Sequence, residues 1–259
     1  MKYTEFIAML HISIVAEPIA SIFGISISNS LLTSWIVMAG LIIFSFASTR
    51  NMSMVPGTLQ SIAELMVGGL DGLFTSVLQE KTKRFFTLLA TLFIFVMFMN
   101  WAGLVPGVGT IGFWLTEHGK EAFIPLFRAA TADLNTTLAL AIIVVCFIQF
   151  AGLSTLGLSY LKKFINFTSP IGFFVGILEL VLEVSKIISF AFRLFGNIFA
   201  GEVLLTVVAF LIPIVAPIPF LGLELFVGVI QALVFSMLTA VFLLMATTGH
   251  EEHADHART

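Results

Sequence analysis

What most constrains this chain is a set of apolar runs, each near or above the roughly 20 residues an α-helix needs to cross a bilayer. They cover Leu31 to Ala47, Phe85 to Gly103 and Leu134 to Leu158, then two longer stretches starting at Pro170 and about Phe220. Hydrophobic residues fill 59% of the 259 positions and charged residues only 10%, against about 25% charged in a soluble domain. A soluble fold of this length has no way to hide that much apolar surface. The expected class is an all-α integral membrane protein: about five membrane helices plus an amphipathic surface helix, with a long tilted C-terminal helix hairpin, in a single membrane domain over 1–259.

Residues 1–30 mix apolar and polar positions around Glu17-Pro18 and read as an outer N-terminal lead. The first span is 31–48, followed by Arg50. In 55–80, Leu59, Ile62, Met66, Leu70, Leu73 and Val77 recur every three or four residues, with Gln60, Glu64, Asp71 and Thr75 on other faces. That period belongs to an amphipathic helix lying at a membrane surface or against a partner. Residues 85–158 hold the second and third spans. Between them Leu104 to Asp133, with Pro106, four glycines and charges of both signs, reads as an outer loop. The tilted hairpin is 170–247 and the tail 248–259.

Orientation follows from the basic residues. With alternating spans, Arg50, Lys81, Lys83, Arg84, Lys162 and Lys163 share one side, and Lys2, Lys120 and Arg128 the other. The positive-inside rule puts the larger set in the cytoplasm. The N-terminus is then outside and the C-terminal tail cytoplasmic, in an energy-coupling membrane such as the bacterial plasma (inner) membrane. The N-terminus lacks the basic start and compact apolar core of a cleaved signal peptide, so the first membrane helix is expected to direct insertion.

The last two helices carry most of the information. Ser169-Pro170 is a helix start, a capping serine before a proline at the first helical position. At 1.5 Å per residue, Pro170 to Leu211 would run roughly 60 Å, about twice the hydrocarbon thickness. Either the helix breaks near Gly196 or Gly201, or it lies far from the membrane normal; the tilted form is favoured. The segment Pro213 to Pro219 makes the turn.

Into this hairpin the sequence sets Glu179, Glu183, Lys186, Arg193, Asn197, Glu202, Glu224 and Gln231. Each charge near the centre of a membrane helix costs roughly 2.5–3.5 kcal/mol on insertion scales, so such residues need a compensating role. One reading is structural: Glu183 with Lys186 at i to i+3, or Glu179 and Glu183 sharing a proton. The spacing favours another. Glu179, Glu183, Lys186, Phe190, Arg193 and Asn197 are separated by 4, 3, 4, 3 and 4 residues, one stripe on a helix at about 100° per residue. Ser189 lies at its edge. Glu202, nine residues past Arg193, projects to roughly the opposite face. Polar groups before and after the arginine thus point different ways, which suggests two offset water-accessible paths meeting near one arginine rather than a continuous pore.

Four ordered motifs then carry a family resemblance. Arg193-Leu194-Phe195-Gly196-Asn197-Ile198-Phe199-Ala200-Gly201-Glu202 is similar to the motif of subunit a, the stationary ion-channel subunit of rotary F-type ATP synthases. Asn100-Trp101-Ala102-Gly103-Leu104-Val105-Pro106-Gly107, Thr131-Ala132-Asp133-Leu134-Asn135-Thr136-Thr137-Leu138-Ala139-Leu140-Ala141 and Gln231-Ala232-Leu233-Val234-Phe235 resemble the same family in the same order. The resemblance covers essentially the whole chain.

The resemblance implies that Arg193 is the essential charge facing the carboxylate of a rotating c-subunit ring. It implies that Glu202 and Gln231 line the outer half-channel, with Glu202 as proton relay, and that Asn197 is the polar residue one turn beyond the arginine. Glu224 stands where some relatives carry histidine and keeps a titratable group there. Asp133 and Asn135 start the third span at the outer mouth, where they hydrate the entrance, or Asp133 is an ordinary helix cap. Glu179, Lys186 and Ser189 line the inner half-channel, while Glu183 matches no role in the family. The implied partners are the c-subunit ring, peripheral-stalk b subunits near 55–80 and the first span, the soluble catalytic head indirectly, and membrane lipid.

Other readings are set aside. A net charge of −3 without a basic stripe points to no nucleic-acid partner. Cys146, the single cysteine, excludes an internal disulfide and a cysteine-only metal cluster. His250, His253 and His256 with Glu251, Glu252 and Asp255 read as a solvated tail rather than a metal site, and His11 and His118 are isolated. No phosphate loop or nucleophile elbow is present, so no cofactor is expected and nucleotide chemistry belongs to a partner; by itself the chain is not an enzyme. A free-standing transporter would often show inverted repeats, and the Arg193 region has no second copy. A purely structural scaffold leaves the polar stripe without a purpose.

Overall fold

The computed structural model describes residues 16–22, 25–105, 107–108, 111–117, 120–161, 163–164, 170–212 and 215–248. His11, Lys2, Pro106, His118, Lys162, Ser169, Pro213 and the His-bearing tail from Gly249 lie outside the described residues, as does the first half of the 1–30 lead.

The lead ends in a small antiparallel hairpin, β1 (Pro18–Ile22) with β2 (Ile25–Ser28). Helix α1 (Asn29–Thr49) follows directly, capped by the Ser28 hydroxyl, which accepts from the Leu31 N–H. Its first turn is polar and buried: Asn29 donates to the Pro125 carbonyl at 3.3 Å and Ser30 to Asp133 Oδ2 at 2.8 Å. Beyond it, large apolar side chains such as Ile42, Ile43 and Phe46 stand exposed, as expected for a lipid-facing helix.

Helix α2 (Thr58–Leu78) and helix α3 (Thr82–Ala102) are joined by a single 3-10 turn, Gln79–Lys81. Gln79 takes a positive φ of 51°, a conformation uncommon for a residue with a Cβ, and this separates the two helices. In α2, Leu70, Phe74 and Leu78 fall at i, i+4 and i+8 and enter the core, whereas Leu59, Ile62 and Leu65 in its first half are exposed.

Between α3 and the next helix the structure differs from the expectation of a plain loop. Residues Gly112–Glu117 (β3) and Lys120–Pro125 (β4) pair as an antiparallel hairpin with Phe113 opposite Ile124 and Trp114 opposite Phe123. Prolines, glycines and mixed charges dominate the reading of this segment, yet its aromatic and branched residues suit cross-strand pairing. The class is thus mostly helical, with two small hairpins at one end. A 3-10 turn, Ala130–Ala132, leads into α4 (Leu134–Leu156), which Asp133 caps by accepting from the Asn135 N–H.

One turn of helix, α5 (Leu158–Leu161), separates α4 from the hairpin. Helix α6 (Pro170–Leu211) is continuous over 42 residues, with no break at Gly196 or Gly201. At 1.5 Å per residue it is about 63 Å long, so a bilayer of about 30 Å can hold it only steeply tilted or projecting. Helix α7 (Pro217–Thr247) has proline at its first turn and 31 residues. Among the described residues, five helical stretches are long and apolar enough to cross a membrane: Asn29–Thr49, Thr58–Ala102, Leu134–Leu156, Pro170–Leu211 and Pro217–Thr247.

The core lies between α3, α4, α6 and α7. Phe190 of α6 is fully buried against Phe235 and Phe242 of α7, with ring centroids 4.9 and 5.7 Å apart. Polar links fix the register. Asn100 Nδ2 donates to the Gly228 carbonyl at 2.9 Å and Trp101 Nε1 to the Leu225 carbonyl at 3.1 Å. At the opposite end, Lys81 Nζ donates to the Thr247 carbonyl and to the Thr247 and Thr248 hydroxyls where α7 ends, and Arg84 donates to the Ser154 and Thr155 hydroxyls at the end of α4.

Interhelical hydrogen bonds in membranes contribute about 0.6 kcal/mol on average and up to about 1.7. Asn100→Ala should lower the unfolding free energy of the full chain in detergent by that amount. Gly228→Val should cost more, because a Cβ at Gly228 already meets Asn100 and Trp101 at 3.2 Å. Both variants unfolding like the parent would contradict this account of how α3 holds α7.

Candidate functional site

Arg193 projects from the middle of α6, where the apolar helix offers it little. Its Nη2 donates to Ser189 Oγ at 3.4 Å, one turn earlier. Its backbone carbonyl accepts from Gln231 Nε2 of α7 at 3.4 Å, so α7 grips α6 at the arginine's own peptide. Among the described residues the guanidinium forms no salt bridge.

Toward the start of α6 lies a cleft of about 440 Å³ that ends at Arg193. Its polar wall is the stripe read from the sequence: Glu179, Glu183, Lys186 and Ser189. Its apolar wall is Leu238, Phe242, Met245 and Ala246 of α7. Glu183 is buried and fully engaged, with Oε1 2.7 Å from Lys186 Nζ and Oε2 accepting from Gln149 Nε2 of α4 at 2.6 Å. Lys186 Nζ also sits 4.7 Å above the Phe242 ring. Glu179 pairs with Lys163, which is also 3.7 Å from Glu183 Oε1.

The segment after α4 closes this end. Tyr160 Oη donates to Gln149 Oε1 at 2.8 Å, so the phenol, Gln149 and Glu183 form one chain of hydrogen bonds. Burial first, and then the negative charges of Glu183 and Glu179, push the Tyr160 phenol up to about 12. It therefore stays a donor at any physiological pH.

On the other side of Arg193, nine residues further along α6, the second polar cluster forms. Glu202 Oε2 lies 3.4 Å from Arg128 Nη2. Arg128 is buried, and its N–H donates to Thr33 Oγ1 of α1 at 3.3 Å. Gly103 makes this placement possible: a Cβ there would collide with the Ala129 methyl beside Arg128. Glu224 of α7 lies against Gly201, where an added Cβ would occupy the position of its Oε1. Gly201 immediately precedes Glu202, so the Glu224 carboxyl packs beside the start of the Glu202 turn of α6.

The ten residues singled out in the sequence therefore do not form one site. Glu179, Lys186, Ser189 and Arg193 share the cleft, while Glu202 and Glu224 meet on the far side, and Gln231 is buried between them beside the Arg193 backbone. Asn197 is exposed on the surface of α6. Asp133 is buried and its carboxylate is taken by Ser30, Thr136 and the Asn135 N–H, the geometry of a cap; the Asn135 side chain is exposed. Arg128, Lys163, Gln149 and Tyr160 belong to the two clusters but are not marked as site residues by the sequence. Arg128 and Lys163 count there only toward orientation, because their partners are 74 and 16 or 20 residues away.

The family model described as ATP synthase A chain matches residues 31–244. The chain belongs to this family. The matched range takes in both clusters and all five apolar helical stretches to within a few residues. Among curated relatives, ATP synthase subunit a of Gloeobacter violaceus is 36% identical over 226 residues, 87% of this chain and 86% of that one. ATP synthase subunit a of Citrifermentans bemidjiense is 32% identical over 230 residues, 88% of this chain and 89% of that one. ATP synthase subunit a 3 of Pelobacter propionicus is 34% identical over 213 residues, 81% and 83% of the two chains.

The hydrogen-bonded phenol gives a direct optical test. An ordinary tyrosine titrates near pH 10, so ultraviolet titration of the purified chain should show a second phenolate component near pH 12 that Tyr160→Phe removes. A component near pH 10 lost in Tyr160→Phe would contradict the buried Tyr160–Gln149–Glu183 chain.

Proposed function

We propose that this chain is the proton-conducting stator subunit of a rotary ATP synthase, with two offset half-channels that pass protons to and from carboxylates of a rotating c-ring. The observation that carries the reading is Arg193, a permanent cation on an apolar helix. Among the described residues it has no carboxylate partner, and it stands between two separate polar clusters. A guanidinium stays charged at every relevant pH, so its counter-charge is sought outside the chain.

A proton enters from the outer side through Glu202, Glu224, Gln231 and Asn197, past a mouth at Asn135, whose helix Asp133 caps. It neutralises a ring carboxylate that has just passed Arg193. Once neutral, the ring site can face lipid, and the ring turns almost a full revolution before the site returns to the inner cleft. There Arg193 favours proton loss: at about 4 Å and an effective dielectric near 20 it attracts an ionised carboxylate by roughly 4 kcal/mol. The proton leaves past Ser189, Lys186 and Glu179. The same fixed charge repels a proton attempting to pass directly between the paths.

Each charge crossing 100 mV releases about 2.3 kcal/mol, so several protons are needed for each ATP made in the catalytic head. The head is a separate partner, and so are the peripheral-stalk b subunits, for which the exposed first half of α2 is the candidate surface. The Lys81–Arg84 end of the bundle faces the cytoplasm of a bacterial inner membrane on the positive-inside argument.

ATP-driven proton pumping in vesicles holding the assembled complex tests the reading. Arg193→Ala should reduce pumping to background with assembly intact, since losing roughly 4 kcal/mol corresponds to about a thousandfold. Arg193→Lys should rescue poorly, because a lysine can shed its proton in such a setting. Normal pumping by Arg193→Ala would overturn the proposal.

A further inference from the structure

Resting on the reading above, the cleft below Arg193 is the way out for the proton, yet Tyr160, Lys163 and Glu183 line it without a part in that path. Their arrangement is built rather than incidental. The backbone turns tightly here, with the Lys163 N–H on the Tyr160 carbonyl at 3.2 Å and the Phe164 N–H on the Leu161 carbonyl at 3.0 Å. The Tyr160 ring lies over Gly152 of α4, where a Cβ would meet it at 2.6 Å. The Phe164 carbonyl rests on Gly176 of α6, where a Cβ would collide with it. Two glycines thus seat the 160–164 strap across α4 and α6.

The strap delivers one cation, Lys163, to the gap between two carboxylates on the same face of α6. The two partners are unlike. Glu183 is immobile, because Gln149 holds one oxygen at 2.6 Å and Lys186 the other at 2.7 Å. Glu179 is half-buried, and among the described residues its one ion-pair partner is Lys163. Among the described residues, the charged and titratable groups facing this gap are Glu179, Glu183, Lys186 and Arg193 from α6 and Tyr160 and Lys163 from the strap. Of those residues α7 contributes the apolar Leu238, Phe242, Met245 and Ala246, and α4 the neutral Gln149.

We propose that Lys163 is a further residue of the inner path, a movable cation that covers Glu179 and passes to Glu183 when Glu179 takes up the outgoing proton. An ionised Glu179 holds the ammonium and shuts the mouth. When the proton released by the ring reaches the Glu179 carboxylate, the carboxyl becomes neutral and the attraction ends. Lys163 then moves onto Glu183 Oε1, already 3.7 Å away. The proton passes from Glu179 to water, the carboxylate is ionised again, and the ammonium returns. Glu183 is a positioning residue in this scheme: it acts through Lys163 and is itself locked by Gln149, which Tyr160 orients.

Thiol labelling reads the cover without depending on activity. In the assembled complex, with Cys146→Ser removing the exposed native thiol, Leu238→Cys places a probe in the apolar wall of the cleft. Labelling by a neutral, water-soluble maleimide should be slow in this background. It should accelerate roughly fivefold with Lys163→Ala, the size expected of losing one partly exposed ion pair. Lys163→Arg should restore the slow rate. Glu179→Gln, which mimics the protonated carboxyl and leaves the strap untouched, should accelerate labelling as Lys163→Ala does, and it carries the test if Lys163→Ala fails to assemble. A strap fixed by its seats on Gly152 and Gly176 alone predicts no effect of Glu179→Gln, and an unchanged rate in that variant overturns the proposal. If labelling does not respond while Arg193→Ala abolishes pumping, only this proposal falls. If Arg193→Ala pumps normally, the wider reading falls and the labelling result stands alone.

Discussion

A guanidinium cannot be discharged, and carrying one on a membrane helix costs roughly 2.5–3.5 kcal/mol on insertion scales. The architecture around Arg193 is arranged about that fact. Ser189 offers one weak contact, and α7 binds the arginine's carbonyl through Gln231. Three carboxylates of the hairpin are engaged elsewhere: Glu183 with Lys186 and Gln149, Glu179 with Lys163, Glu202 with Arg128. Because these pairs are satisfied among themselves, the arginine is left available to a charge outside the chain. A scaffold held by buried ion pairs would have used Arg193 in one.

Glycines set the distances that make this possible. Gly228 lets Asn100 and Trp101 reach the carbonyls of α7, Gly103 admits Ala129 and with it Arg128, and Gly201 admits the Glu224 carboxyl. In hydrocarbon there is little hydrophobic force between helices, so close packing and interhelical hydrogen bonds must hold them. Each of these glycines therefore does two things: it brings backbones together and it places a polar group of the Glu202–Glu224 cluster or its support. The continuous α6 has the corresponding role along the other axis, carrying the Glu179–Ser189 stripe and Glu202 on one rigid rod, about 34 Å from Glu179 to Glu202.

Much of this was legible beforehand, for physical reasons. Apolar runs announce spans because length and composition alone decide bilayer crossing, and among the described residues five helical stretches meet that condition. The stripe on α6 was legible because a continuous helix preserves its period. What escaped was whatever depends on contacts between distant segments. The β3–β4 hairpin was hidden by the glycines and charges around it. Arg128 and Lys163 looked like orientation signals, since nothing in their own neighbourhoods names Glu202 or Glu179. Asp133 read equally as a mouth residue and as a cap, and its partners Ser30 and Thr136 give it the geometry of a cap. Glu183 matches no role in the family, and nothing near it in the sequence names Gln149, 34 residues away, which holds it.

The central claim is that one fixed charge separates two half-paths. It is tested most directly by passive proton flow through the membrane sector freed of its catalytic head, in a complex whose ring carboxylate is replaced by the amide. With Arg193 present, such a ring should block flow completely, since no carboxylate carries the proton round the ring from one path to the other. With Arg193→Ala, the account predicts a residual leak through the joined clusters that rises with the applied potential. A complex that stays as tight without the arginine as with it would contradict the account.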